Sequence, residues 1–199
     1  QAPDADAVLL VRASHLHLQR DTLKRELAEQ GVQLLSDEVA KEELHAAASM
    51  GLRCDDSSEP ACYAKLATVL QVRHVFVVTQ IDSDEGAPQL TLRRFGADAS
   101  VQTGDWTSVD DAALDARYLV WALLTPKKLL GKLRVLSFPA QYVGATFVLD
   151  DEPLGPLPLS PPTTTLPPGE HLAEVRRGAD VLWSMGFHIA PQEKADLSI

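Results

Sequence analysis

Positive charge, cysteine and long apolar runs are all scarce in this sequence. Eighteen lysines and arginines face 28 aspartates and glutamates, for a net charge of -10. The deficit is shared: residues 1–130 carry 13 basic and 20 acidic residues, and residues 131–199 carry 5 and 8. Neither part offers the basic face that a phosphate backbone requires, so no nucleic-acid partner is expected. No apolar run approaches the ~20 residues that span a bilayer, so any membrane tether is expected to lie outside these 199 residues. Two cysteines are too few for a zinc cluster or a disulfide-dense scaffold. Also missing are Gly-x-Ser-x-Gly, a phosphate loop, Gly-x-Gly-x-x-Gly and His-Glu-x-x-His, the usual signs of a nucleophile, a nucleotide or a catalytic zinc. No catalytic residue, cofactor or metal is therefore expected.

What is present suffices for two cores. Hydrophobic residues make up 45% of the chain, and its length suits a domain of about 130 residues with a smaller one behind it. The start, Gln1-Ala-Pro-Asp-Ala-Asp-Ala7, lacks both an initiator methionine and the layout of a signal peptide, and reads as a processed or truncated end. Cys54 and Cys62 flank a polar, proline-containing segment just ahead of a helix. Their spacing fits neither Cys-x-x-Cys nor a zinc site, which leaves a local disulfide or two unrelated thiols; we expect the disulfide, and with it an oxidising compartment.

Val8–Val11 reads as a strand buried on both faces. A helix capped by Asp21, with Leu23, Leu27 and Ala28 inward, should stop at Gly31, and Val32–Leu35 should form a second strand. Ser36 caps the next helix, which carries Val39, Leu44 and Ala47 and ends at Gly51. Tyr63, Leu66, Ala67 and Leu70 form one helical stripe. Val75–Ile81, Leu90–Phe95 and Ser100–Val109 read as an antiparallel meander. Ser108 with Asp111 resembles a capping box for a helix whose stripe is Leu114, Tyr118, Trp121 and Leu124.

After Leu130 the helical period disappears. Leu133–Phe138, Ala145–Leu149, His171–Arg176, Val181–Ile189 and Ala195–Ile199 look like short strands. Seven prolines between Pro153 and Pro168 confine that stretch to an edge or a loop. The expected class is α+β: a two- or three-layer α/β domain with a mixed sheet over residues 1–130, then a small all-β sandwich over residues 131–199.

Several weaker patterns read as scaffold or solvated surface. His15 and His17 would share a strand face but have no third ligand. Asp82, Asp84 and Glu85 ahead of Gly86 lack the later ligands of a calcium loop. Glu38, Glu42 and Glu43, with Lys41 nearby, suit an exposed helix face. Trp121 belongs to a helical stripe, whereas Trp106 and Trp183 are candidate exposed aromatics for stacking on a sugar or a partner.

The carboxy-terminal third carries a family resemblance, with its landmarks between residues 139 and 176. Gly144-Ala145 precedes Thr146-Phe-Val-Leu-Asp150, Gly155-Pro-Leu-Pro158-Leu159 follows, and Leu166-Pro-Pro168-Gly169-Glu-His171 leads into another apolar strand. This order resembles a PEGA domain over about 65 residues. It departs from the pattern in the four residues between Pro139 and Gly144 and in Asp151, which stands at the family's turn glycine, so a distorted first hairpin is expected. Pro168-Gly169 and Gly155 with Pro158 read as tight turns, and His171 as packing or bonding to close its turn. Residues 7–125 resemble, in layout, the TolB-like amino-terminal α/β domain of bacterial envelope lipoproteins and activators of cell-wall synthesis. The signal there is the first buried strand, Gly31, the cysteine loop, and Lys65-Leu-Ala-Thr-Val-Leu-Gln-Val-Arg-His-Val-Phe-Val-Val78.

Together these resemblances imply a non-enzymatic protein of the bacterial envelope or periplasm, binding or scaffolding other envelope proteins. The alternatives are a module that binds peptidoglycan or a surface polysaccharide, and an enzyme whose site carries no recognisable motif; that enzyme would need a pocket holding a carboxylate or histidine with a strongly displaced pKa.

Overall fold

The computed structural model describes residues 5–12, 18, 20–55, 59–82 and 86–199. The chain divides into two compact units, Gln1–Thr125 and Pro126–Ile199. The division falls at Pro126 because the short 3-10 turn Pro126–Leu129 belongs with the second unit: the Leu129 carbonyl accepts from the Gln192 N–H at 3.4 Å.

In the first unit, β1 (Ala7–Val11) pairs in parallel with β2 (His74–Ile81), which continues antiparallel into β3 (Gln89–Gly96) and β4 (Val101–Thr107). This is the mixed sheet, in the order β1-β2-β3-β4. Helices cover both faces, giving three layers. Val8, Leu10, Val75 and Val77 point to one face, against α2 (Asp37–Ser49) and α3 (Pro60–Val69). Leu9, Phe76, Val78, Leu90 and Leu92 point to the other, against α1 (Arg20–Glu29) and α4 (Ala112–Leu124). A strand covered on both sides needs an unbroken apolar run, and residues 7–10 of β1 are all buried.

Local signals set most helix ends. The Ser36 side chain accepts from the Val39 N–H, with Asp37 and Glu38 in the first turn. Gly51, at φ +83°, ends α2 while the Leu52 N–H returns to the Ala47 carbonyl at 3.0 Å. Other expectations are corrected. α1 starts at Arg20, so Asp21 lies in its first turn instead of capping it, and Ala28 is exposed. Val32–Leu35 is held between Gly31 and the Ser36 cap, which leaves room for one parallel bridge, Ala7 to Leu34, and no strand. The cap of α4 is Asp111, accepting from the N–H groups of Ala113 and Leu114, both at 3.0 Å; Ser108 does not cap. The buried stripe of α4 is Ala116, Leu119, Val120 and Leu123, while Leu114, Tyr118, Trp121 and Leu124 are half-buried flanks. Gly104 is what lets α4 approach β4: a Cβ there would meet the Leu123 Cα at 2.8 Å.

The second unit is a β-sandwich. One sheet runs β10-β9-β6-β7, built from β6 (Thr146–Leu149), β7 (Glu152–Pro156), β9 (Gly169–Arg177) and β10 (Asp180–Ile189). The other runs β11-β5-β8, from β5 (Gly131–Ser137), β8 (Thr163–Leu166) and β11 (Lys194–Ser198). Phe147, Ala173, Val175 and Ile189 of the first sheet close on Leu133, Leu166 and Leu197 of the second. The two strands inside the proline-rich stretch, β7 and β8, are both edges, where missing N–H groups are tolerated.

The four residues between Pro139 and Gly144 include a 3-10 turn, Ala140–Tyr142. Asp150 and Asp151 form the two-residue β6–β7 turn with φ of +49° and +65°, the positive values that such hairpins demand. The distortion expected in this hairpin is a register shift beside Phe147. Gly155, expected in a turn with Pro158, lies instead within β7 opposite Phe147, at φ +133°. Asp151→Gly is expected to stabilise this unit by about 0.5–1 kcal/mol, because glycine removes the left-handed penalty and only an exposed pair with Arg176 is lost. Urea denaturation of the two proteins checks this; a less stable variant would refute it.

Candidate binding site

A concavity among aliphatic side chains lies in the first unit, at the carboxyl end of β1. Leu9–Arg12 form its floor, Leu44 and Ala48 of α2 one wall, and Leu52–Cys54 with Leu66 of α3 the other. Its volume is about 430 Å³, within the ~300–1,000 Å³ of small-ligand sites, and the carboxyl end of a parallel strand is where open α/β sheets place their ligands. Leu44 and Leu52 are half-buried, so aliphatic surface faces the opening.

The charged groups among its described lining residues are three arginines. Arg12 donates to the Cys54 carbonyl. Arg20 pairs with Asp37 at 3.0 Å and lies 3.5 Å from the Leu9 carbonyl. Arg53 makes no hydrogen bond or ion pair with any described residue. The Asp37 carboxyl is held below its usual range chiefly by a hydrogen bond from Lys24, with the Arg20 charge adding to the effect. It stays an anion and keeps Arg20 in place.

Cys54 and Cys62 form a disulfide with Cα atoms 5.8 Å apart. It ties the cleft wall to the first turn of α3, and the Tyr63 hydroxyl donates to the Asp55 carbonyl at 2.6 Å beside it. A disulfide persists in oxidising compartments, so the bond is compatible with an exported protein. Among the described residues no helix is long and apolar enough to cross a membrane.

A second concavity of about 320 Å³ contains Asp6, Arg73, His74 and Arg94. His74 is half-buried, and its pKa is lowered by burial and by the Arg94 charge, so the ring is neutral near pH 7. Asp6 lies 3.4 Å from Arg73, and no carboxylate hydrogen-bonds the ring among the described residues.

The proposed aromatics are both half-buried. Trp106 donates its indole N–H to Asp115 at 2.9 Å and packs at a tilt against Tyr118 with ring centres 4.9 Å apart, so its polar atom holds the fold together. Trp183 packs against the sandwich core. Asp115 itself is fully buried and also accepts from the Ser108 hydroxyl at 2.5 Å and the Val109 N–H at 2.8 Å. Sequence reasoning missed this hub because an acid inside an apolar helical stripe reads as a solvated position. It also missed the three arginines, because Arg53, on the α2–α3 connection, comes to line one cleft with Arg12 and Arg20 only in the folded chain. Glu38, Lys41, Glu42 and Glu43 are exposed. Asp82 accepts from the Gln80 side chain, while His15, His17, Asp84 and Glu85 lie outside the described residues. No three His, Cys, Asp or Glu side chains among the described residues are placed to hold a metal.

In the second unit, Gly144, Ala145, Pro158, Pro168 and Gly169 shape loops and strand ends. Gly144 has φ +77°, Ala145 is buried, and Gly169 opens β9 at φ +136°. His171 is buried with both nitrogens facing acceptors: Nδ1 lies 2.7 Å from the Asp150 carboxylate and Nε2 2.8 Å from the Pro167 carbonyl. Only the doubly protonated ring satisfies both. Burial opposes that charge, but the hydrogen bonds from the ring to Asp150 and Pro167, with the charges of Asp150 and Glu170, raise the pKa above its usual value. Burial likewise opposes the Asp150 anion, yet the Leu172 N–H and His171 hold its pKa below the usual value.

The pH dependence is set by these directions. A raised histidine pKa stabilises below about 6.5 and loses that contribution as pH rises through the folded value; a lowered aspartate pKa stabilises above about 3.9 and fails as pH falls through its folded value. The pair therefore contributes fully between about pH 4 and 6.5. An NMR titration of the His171 ring is expected to show a midpoint above 6.5, and Asp150→Asn to lower it; a midpoint below 6.5 would contradict this arrangement.

No protein-family model and no curated protein sequence matches the chain.

Proposed function

We propose that this is a non-catalytic binding or scaffolding protein of the bacterial cell envelope, in which the α/β unit contacts other proteins and the β-sandwich serves as a surface or spacer module. The observation that carries this reading is the character of the cleft at the end of β1. Its walls are aliphatic and its charged lining groups among the described residues are guanidiniums, which carry donors and no acceptor. Such groups hold and orient an acceptor but cannot shuttle a proton. The Cys54–Cys62 disulfide beside the cleft supports an exported, periplasmic setting, and the resemblances of the two halves to TolB-like and PEGA domains support the envelope.

Affinity capture from a bacterial envelope fraction tests this, using the full chain and its Leu52→Glu variant with insoluble peptidoglycan scored in parallel. Defined proteins retained by the wild type and lost from the variant are expected. Equal retention by both, or co-sedimentation with peptidoglycan unaffected by the variant, would transfer the function elsewhere on the chain and favour glycan binding.

A further inference from the structure

We infer that the cleft at the carboxyl end of β1 recognises an aliphatic carboxylate, the Arg53 guanidinium receiving the anion and the leucine walls receiving the hydrocarbon. The inference rests on the proposed binding role of that cleft and adds the chemistry of what binds.

Three features of the cleft lead to this class of ligand. The first is its charge. In a protein of net charge -10, the charged residues lining this cleft among those described are Arg12, Arg20 and Arg53. An anion repelled by the protein as a whole finds local attraction here, and the low-dielectric aliphatic walls strengthen it.

The second is the inequality of the three arginines. Arg12 is engaged by the Cys54 carbonyl and Arg20 by Asp37, so both are held in place with part of their donor set in use. Arg53 is exposed and has no partner among the described residues, so its whole planar fork is open. A guanidinium fork matches a carboxylate with two parallel hydrogen bonds. Arg53 also adjoins Cys54, whose disulfide to α3 restrains the backbone that carries it.

The third is the wall. Leu10, Leu44, Leu52 and Leu66 leave a volume of about 430 Å³ with no acid among the described lining residues. A phosphate or sulfate ion alone would leave this apolar surface against water. An anion with a short hydrocarbon body covers both parts of the site. A free medium-chain carboxylic acid has this chemistry, and so does the carboxyl terminus of a polypeptide ending in leucine.

Titration calorimetry and methyl NMR on the full, oxidised chain separate these sources. The probes are octanoate against octanamide, and N-acetyl-Ala-Ala-Leu with a free carboxyl against its carboxamide. We expect each acid to bind at least about tenfold more tightly than its amide, equivalent to about 1.4 kcal/mol. The Leu44 and Leu52 methyls should shift while Leu157, in the other unit, does not. Arg53→Gln should abolish the preference for the acid without altering the melting temperature, since that side chain holds no other residue among those described. Binding of the peptide acid identifies a polypeptide terminus as the source. Octanoate binding without peptide binding keeps the carboxylate site but overturns the protein-binding role. Equal affinity for acid and amide, an undiminished preference in Arg53→Gln, or no binding of any probe overturns the inference, while capture of envelope proteins by wild type but not Leu52→Glu would leave the protein-binding role standing.

Discussion

Asp115→Ala is expected to destabilise the α/β unit by about 3–5 kcal/mol. The carboxylate is fully buried, and its donors include the Trp106 indole N–H, the Ser108 hydroxyl and the Val109 N–H. Truncation leaves these donors facing a methyl group; an unsatisfied buried donor costs about 1–3 kcal/mol, less for the part-buried N–H groups of Trp106 and Val109 and where the Ser108 hydroxyl can rotate to another acceptor. Against a domain stability of about 5–15 kcal/mol this is a large loss. It should shift the urea midpoint and weaken the near-ultraviolet circular dichroism of Trp106, which the hydrogen bond to Asp115 and the contact with Tyr118 hold in place. Asp115→Asn keeps one acceptor oxygen and should lose less. A loss below about 1 kcal/mol for Asp115→Ala would show that these donors find other partners.

Reduction of Cys54–Cys62 should cost the same unit about 2–3 kcal/mol, because the bond closes a short loop in the unfolded chain. That corresponds to a drop in melting temperature on the order of 10 °C. The loss should be confined to the α/β unit, since the sandwich contains no cysteine. Calorimetry with and without a reductant checks this, and an unchanged transition would contradict it. Reduction also frees the cleft wall from α3, so ligand affinity should fall together with stability.

How much of the fold and the cleft was legible in the sequence depended on how local each cause was. The run at Val8–Val11, the cap at Ser36 and the stripe through Tyr63 and Leu70 each rest on neighbours within one or two turns, and all three occur in the structure. The disulfide was legible for the same reason, since its partners are eight positions apart. The α4 face was misread because the helix is apolar nearly all round, so two stripes fit, and β4 with Gly104 selects between them. Ser108 was misassigned because a hydroxyl three residues before an acid fits a cap, whereas here it donates to an acid seven residues on. Gly155 was placed in a turn because a glycine near proline suggests one, and its role at the bulge opposite Phe147 exists only once β6 and β7 pair. The cleft was invisible for a related reason: β1, α2 and the connection to α3 create it jointly, and no segment announces it alone.

That the cleft is the working surface can be tested most directly by placing a photoreactive amino acid at position 52, at the cleft, or at position 182, on exposed β10. Each protein is irradiated in the envelope of bacterial cells that export it. The account predicts discrete protein adducts from position 52 that Arg53→Gln diminishes, and none from position 182. Adducts from position 182 alone, or none from position 52, would contradict it.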